Sequence, residues 1–468
     1  MARSQYDTII IGLGAAGVTA AATLGKAGKQ VLGLEAEGRI GGRVNTVPFG
    51  DGVVELGAEW IHGEHPSLVY DTAVQNNIQL AFQDLAFNIF RSDGQVPNEE
   101  FQLLCNEVIA QGFIFMANPP EESIPAGQFV TAKLMQYFKD NNPKILEDQD
   151  LVEQLLEFLN LLTNNYCACN DWNDLDARDK FTHLDGHQHI SWYKQGYKTF
   201  FDIMLNTYRD GPGLSNLNVK LNTEVTQIAW PEDPNGTVKV ITKDGAVYTA
   251  DSVIITVSVG VLKESYKTLF TPKLPAKKIA AIENLAIGVM DKIVLSFETA
   301  WWPKNATFFG FLWQGEDRRR IGREDYWITR IFGASSPMGS DNVLTLWTSG
   351  ETAKMVELLP EDLVRRKCMQ LLQMFMGGKT IIPEPTGFIR STWHSNPYTR
   401  GSYSYDSIHV ASLPWLRSEL AAPLTDRSGK PRVLFAGEAT DETHFSTVHG
   451  ACDTGYRESM RLLPASKM

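Results

Sequence analysis

Four β-branched positions in a row, Thr8-Ile9-Ile10-Ile11, leave no polar face and predict a strand buried on both sides. The strand runs into Gly12-Leu13-Gly14-Ala15-Ala16-Gly17 and then an alanine-rich helical stretch that Gly28 stops. Gln30-Val31-Leu32-Gly33-Leu34 reads as a second short strand, so the chain opens on a βαβ unit. From about 76 to 195 the pattern changes to helical periodicity, clearest over 101–113 and 151–162, with a further stretch at 198–208. Strand patterns return at 219–221, 237–242 and 252–257, separated by turn signals at Asp233-Pro234-Asn235-Gly236 and Asp244-Gly245. The region 280–350 mixes strands with aromatics, 358–376 predicts a helix, and Val433-Leu434-Phe435-Ala436 is a buried strand leading into Gly437. These alternations predict an α/β protein in which a Rossmann-like domain is interrupted by an inserted region. No internal repeat or low-complexity tract is visible.

Length and charge narrow the picture. At 468 residues the chain exceeds one ordinary core, so two domains or an interrupted domain are expected. A formal charge of −12 argues against a phosphate-binding surface such as a nucleic-acid interface and favours cationic ligands. No apolar run spans a bilayer, so no membrane association is expected. The five cysteines are scattered, and Cys167 and Cys169 lack the spacing of a zinc or redox pair, so reduced thiols and no metal site are expected. Only about five residues precede the first strand, too few for a secretory leader, so the sequons at Asn235 and Asn305 read as chance matches. The final Ser466-Lys467-Met468 differs from the peroxisomal Ser-Lys-Leu address only in its last apolar residue, pointing to a peroxisomal import receptor as a partner, with a cytoplasmic location as the alternative.

The opening loop carries chemistry because of where it lies. Between a strand and a helix, Gly12 allows a tight turn, Gly14 lets backbone amides approach a pyrophosphate, and Gly17 permits close helix packing, with Ala15 and Ala16 at the helix start. Glu35, ending the second strand, is placed to accept hydrogen bonds from an adenosine ribose. The fingerprint alone leaves NAD and FAD open.

The following residues bear on that choice. Glu35-Ala36-Glu37-Gly38-Arg39-Ile40-Gly41-Gly42-Arg43 resembles the signature of the flavin amine oxidases. So do Gly57-Ala58-Glu59-Trp60-Ile61-His62-Gly63, Asp291-Lys292-Ile293, Trp393 through Tyr403, Gly437-Glu438-Ala439-Thr440 and Ser446-Thr447-Val448-His449-Gly450. The likeness covers most of the chain, is weak over roughly 85–190, and is nearest to the polyamine oxidase branch. It implies a discontinuous FAD-binding domain (1–75, 196–275 and 385–468) and an interleaved α+β substrate-binding domain (76–195 and 276–384).

Carried over residue by residue, the resemblance puts Arg43 on the FAD pyrophosphate, Glu438 at the ribityl-phosphate region and Val225 on the adenine-contacting strand. It places Gly57, Ala58, Glu59, Trp60, Gly437 and Ser446 along the cofactor, and the Thr447-Val448 backbone at the flavin pyrimidine edge. Trp393 should lie on the isoalloxazine, Tyr403 and Thr447 by the substrate, and His62 near the reacting amine. Lys292 matches the family's lysine that holds a water near flavin N5, and a lysine flanked by Ile293, Val294 and Leu295 is unusual in itself, unless the strand is a solvent-facing edge. Ser402 stands where monoamine oxidases carry a flavin-linked cysteine, so the FAD is expected to be non-covalent.

The implied reaction is hydride removal from the carbon beside an amine nitrogen, with O2 as final acceptor, yielding an aldehyde, a shorter amine and hydrogen peroxide. A free amine has a pKa near ~10, so the site must favour its uncharged form. Asp171, Asp174 and Asp176 are candidates to hold distant ammonium groups, and spermine, spermidine and N1-acetyl derivatives stay open as substrates. Two rivals remain: another FAD-dependent amine or L-amino-acid oxidase, which would need a cation for the substrate carboxylate, and a catalytically silent flavin-bound interaction protein.

Overall fold

The computed structural model describes residues 5–178, 180–303, 306–378 and 381–464. Thr8 through Ile11 sit in the strand Gln5–Ile11 at the centre of a nine-stranded sheet. Ile9 and Ile10 have no exposed surface. Burying each such side chain contributes roughly 1.5–3 kcal/mol, which is why an unbroken apolar run seeks the middle of a sheet covered on both faces. Five parallel strands make the core of this sheet in the spatial order Leu217–Lys220, Val31–Leu34, Gln5–Ile11, Val247–Ile255, Pro431–Phe435. The order turns back between Gln5–Ile11 and Val247–Ile255, and the carboxyl ends of those two strands flank the crevice where such sheets bind ligands. Thr256 closes the pair by donating from its backbone N–H to Ile11 O (2.9 Å) and from Oγ1 to Gly12 O (2.8 Å). The hairpin Val238–Thr242 to Val247–Ile255 turns at Asp244-Gly245, with Gly245 at φ +84°.

A second, six-stranded sheet runs Gly387–Arg390, Met290–Ser296, Val343–Ser349, Gly333–Ser335, Phe308–Leu312, Phe87–Arg91. Helices Glu99–Met116, Ala126–Asn141 and Gln149–Cys167 pack against its Phe87 and Phe308 end in one apolar cluster. A two-stranded ladder, Ala286–Gly288 with Tyr403–Tyr405, lies apart from both large sheets.

Local departures from the periodicity have local causes. The apolar pattern over 358–376 predicts one helix, but the chain forms Gly350–Leu358 and Glu361–Leu372, ending in a widened turn through Gly377. Pro360 cannot donate to a continuing helix and serves instead as the cap of the next one. The helix expected over 198–208 is confined to Thr199–Met204, since Asn206 adopts φ +59°. The strands at 219–221 and 252–257 appear as Leu217–Lys220 and Val247–Ile255. Among the described residues no disulfide forms, no group of His, Cys, Asp or Glu is arranged to hold a metal ion, and no helix is long and apolar enough to cross a membrane. Asn305 and Ser466-Lys467-Met468 lie outside the described residues.

Candidate active site

One cavity of about 1250 Å³ runs from the crevice of the parallel sheet to the aromatic end of the second sheet. It exceeds the roughly 300–1,000 Å³ of an ordinary small-molecule pocket, leaving room for a dinucleotide and a second ligand.

The first half of its wall is mostly backbone. Gly12, at φ +89°, turns the chain into the helix Ala15–Lys26, whose cap Gly14 offers no side chain to the leading amides. Those N–H groups and the positive end of the helix therefore face the cavity beside Gly14, Ala15 and Ala16, an arrangement suited to a pyrophosphate. Gly17 does not border the cavity: a Cβ there would lie 2.0 Å from Gly12 O, so its role is to let the helix close on the strand. Glu35 receives Leu13 N–H at 2.7 Å and Glu37 N–H at 2.8 Å, which hold its carboxylate against the loop while lone pairs remain for a ribose. Burial pushes its carboxyl above the usual range, against the pull of those two amides. Ala36 and Val225 line the same end.

Arg43 donates to Glu438 Oε1 and to Ser402 O, each at 2.8 Å, and borders the cavity where the pyrophosphate would pass. Burial raises the Glu438 carboxyl, but Arg43, Ser404 and Arg417 outweigh it and hold it below its ordinary value. Glu438 also accepts Ser446 N–H at 2.9 Å, fixing the turn that opens the helix Val448–Leu462. That second helix start, with Gly437, Ser446, Thr447 and Val448, lies on the same cavity. Thr447 caps it by accepting Gly450 N–H at 3.0 Å.

The second half is built from side chains. Lys292 occupies an interior strand, hydrogen-bonded on both edges, so the solvent-facing alternative is wrong. Its Nζ donates to Glu55 O (2.8 Å), Gly57 O (3.0 Å) and Glu59 Oε2 (2.7 Å), and it sits 4.7 Å from the centre of the ring of Trp347, its cross-strand partner. Asp291 ties this strand to the loop carrying Trp393, accepting Ser391 Oγ–H at 2.6 Å and Trp393 N–H at 3.3 Å. Burial pushes the Asp291 carboxyl well above its ordinary value, with the nearby Glu357 adding to the effect. Trp393 donates from Nε1 to Leu56 O at 3.2 Å, and its ring packs by Gly57, where Ala58 and Trp60 continue the wall. Tyr403 is pinned through its hydroxyl to Asn165 O (3.0 Å) and Tyr166 O (3.2 Å) at the end of the helix Gln149–Cys167.

His62 follows the short strand Trp60–Ile61, which pairs with Ile190–Ser191. Its Nδ1 lies 2.6 Å from Gln188 O. A carbonyl only accepts, so Nδ1 carries the proton and Nε2 is left as an acceptor. Burial drives the imidazole down to about 4, so it is uncharged at neutral pH. Of the three candidate aspartates, only Asp176 borders the cavity, its carboxylate accepting Ser123 Oγ–H and Arg178 N–H at 3.0 Å each. Asp171 and Asp174 form a capping box at the start of the single turn Trp172–Asp174, Asp171 accepting Asn173 N–H and Asp174 accepting Asp171 N–H, and neither lines the wall.

The residues singled out from the sequence as site residues therefore line this one cavity, except Gly17 beneath it and the candidate aspartates Asp171 and Asp174. Periodicity missed Trp347, stacked 5.8 Å from Trp60 at 15°, and His189, edge-on to Trp60 at 5.2 Å with burial driving it down to about 3. Neither has a local motif: strand register brings Trp347 here, and His189 arrives on the segment just before the strand Ile190–Ser191.

A glycine-cradled dinucleotide crevice opening onto an aromatic chamber with a buried lysine defines an oxidoreductase with a bound nucleotide cofactor. The chain belongs to the flavin containing amine oxidoreductase family, whose sequence profile matches residues 15–463. It is 28% identical to the peroxisomal N(1)-acetyl-spermine/spermidine oxidase of Bos taurus and 29% identical to that of Homo sapiens, each match covering 97% of this chain and 94% of the relative. It is 29% identical to polyamine oxidase 4 of Oryza sativa subsp. japonica, covering 97% of this chain and 87% of the relative. The uncapped helix start, the cavity size and Glu35 fit FAD. At position 402 a hydroxyl, bonded at 2.8 Å to Met290 N–H and to Met290 O, stands where a covalent link would need a thiol, so the cofactor is held without one.

Proposed function

We propose that this chain is an oxidase of polyamines, acting on spermine, spermidine or their N1-acetyl forms. The observation that carries this reading is a cavity wall on which the uncharged His62, the buried Lys292 and the rings of Trp393 and Tyr403 come together at the end of the dinucleotide crevice. The bound flavin supplies the acceptor for a hydride from the carbon beside the reacting nitrogen and passes the electrons to O2. The protein keeps that nitrogen's lone pair available. The aromatic chamber disfavours the ammonium form, and His62 Nε2 accepts from the amine N–H without adding a competing positive charge. Lys292 would act at the flavin edge, and Thr447 and Tyr403 would shape the substrate end. Asp176, which lies 3.8 Å from the half-exposed Arg178 guanidinium, is the carboxylate proposed to meet a remote ammonium. In the same reading the nine-stranded sheet belongs to the FAD-binding half and the six-stranded sheet to the substrate-binding half of an amine-oxidase-type, interleaved architecture.

The activities for which the relatives are named support a polyamine as substrate. An amino acid is disfavoured because, among the described residues, the cavity's cations Arg43, Lys243 and Lys292 each already pair with a carboxylate. The peroxisomal relatives and the terminal Ser466-Lys467-Met468 support a peroxisomal address read by an import receptor, and hydrogen peroxide as product suits that compartment.

The test is anaerobic mixing of the purified protein with spermine, spermidine, their N1-acetyl forms, a monoamine and an L-amino acid, watching the visible absorbance of the oxidised flavin. Rapid bleaching by a polyamine alone is expected. Bleaching by the amino acid or the monoamine alone, or by nothing, would overturn the reading.

A further inference from the structure

We infer that Glu59 is a positioning residue that cancels the charge of Lys292 and so lets a cationic amine enter the aromatic chamber, an inference resting on the amine-oxidase reading above. The Lys292 and Glu59 side chains are 1% and 5% exposed, both line the cavity, and their charged atoms lie 2.7 Å apart. The lysine's three N–H groups meet three acceptors, two of them carbonyls of the 55–57 segment and the third the Glu59 carboxylate. The carbonyls orient the ammonium, and Glu59 is the carboxylate in ion-pair contact with it. The other charges on the wall are engaged elsewhere: Arg43 with Glu438, Lys243 with Glu224, Glu37 with Arg39, Glu264 with Arg400, Asp176 with Arg178 at 3.8 Å, and Glu35 with the Leu13 and Glu37 amides. Glu55 also feels the Lys292 charge, but its carboxyl bonds to Thr46 and the Tyr197 N–H, and burial pushes it up to about 7, so it carries only part of a charge near neutral pH. His62 and His189 are held uncharged by burial and contribute no compensating charge.

The pair is flanked by the rings of Trp60 and Trp347, with Phe308 packed against Trp60, an apolar surface that screens an unpaired ammonium weakly. A bare Lys292 would repel an incoming ammonium through this weakly polar medium, whereas the pair presents a dipole of no net charge. The carboxylate keeps a second oxygen, Oε1, with no protein hydrogen bond among the described residues, and the ammonium's three N–H groups are engaged by the 55–59 segment. Glu59 thus acts on the substrate through Lys292.

The measurement is the inhibition constant, against flavin reduction by the amine that bleaches the wild-type holoenzyme, of an alkyl trimethylammonium ion and of its uncharged tert-butyl isostere. The first cannot lose its charge or be oxidised, and the second has the same shape. Glu59→Gln, which keeps an oxygen acceptor for Lys292, is expected to weaken the cation at least about tenfold and leave the isostere within about twofold. Glu59→Gln combined with Lys292→Met, which removes both charges, should restore cation affinity to within about threefold of wild type. Restored binding needs only a folded, flavin-loaded protein, so the double variant also serves if the single one folds poorly. Equal weakening of both ligands, an unchanged cation-to-isostere ratio, or a double variant as weak as the single one would overturn the assignment. Wild-type protein whose flavin no amine bleaches would instead sink the amine-oxidase reading itself.

Discussion

The two ends of the cavity are made in different ways. At the dinucleotide end the working groups are backbone amides and glycines contributed by short continuous stretches, 12–17 and 35–43, joined by 437–448. At the chamber end they are side chains brought from distant elements: His62 from beside one short strand, Lys292 and Trp347 from facing strands, Tyr403 from the two-stranded ladder. The first end holds by close backbone packing and helix ends, so it fails all at once when a Cβ intrudes. The second holds by paired charges and ring contacts, so it fails residue by residue.

The largest effect should come from the first end. Gly17→Ala sets a methyl 2.0 Å from Gly12 O, where only backbone could yield, and is expected to lower the flavin-to-protein ratio of the purified protein at least about tenfold. A normal flavin content would break the contrast between the ends. Next, Lys292→Met should retain the yellow flavin yet slow flavin reduction or reoxidation at least about tenfold, more than about 1.4 kcal/mol on the barrier. It should also lower the melting temperature, since removing one partner of a buried ion pair costs on the order of 3–5 kcal/mol. Unaltered rates in both half-reactions would remove Lys292 from the chemistry.

His62 gives a smaller and more selective effect. With its imidazole driven down to about 4, it is uncharged from there upward, and protonation near its ordinary value of 6.5 should be missing from the pH profile of flavin reduction. His62→Gln is expected to lower the reduction rate roughly tenfold to a hundredfold without moving the profile's limbs. A limb near 6.5 that the variant abolishes would mean that the imidazole titrates as in water. Smallest is Asp171→Asn, expected to leave the apparent affinity for a polyamine within about twofold because Asp171 only caps a turn, whereas Asp176→Asn should weaken it more. Equal effects from both would remove Asp176 from substrate binding. For the cofactor, acid precipitation of the wild-type protein should release all the FAD into solution, given the hydroxyl of Ser402. Flavin left in the pellet would contradict a non-covalent link.

Much of the dinucleotide end was legible in the chain because its determinants are local. A run such as Thr8-Ile9-Ile10-Ile11 followed by Gly12 and Gly14 specifies strand, turn and helix start within about ten residues, through burial and φ alone. The helix expected across 358–376 was broken by Pro360, a local signal outweighed in the reading by the longer apolar pattern. Resemblance to a family located Lys292 and His62 by residue type, but not their surroundings. That Lys292 is interior, that Trp347 lies across from it, that Glu59 neutralises it, and that Asp176 rather than Asp171 or Asp174 borders the chamber were decided by tertiary structure. Strand register and the packing of one sheet end against three helices set those distances. They depend on contacts between residues tens to hundreds of positions apart, whose energies no local pattern encodes.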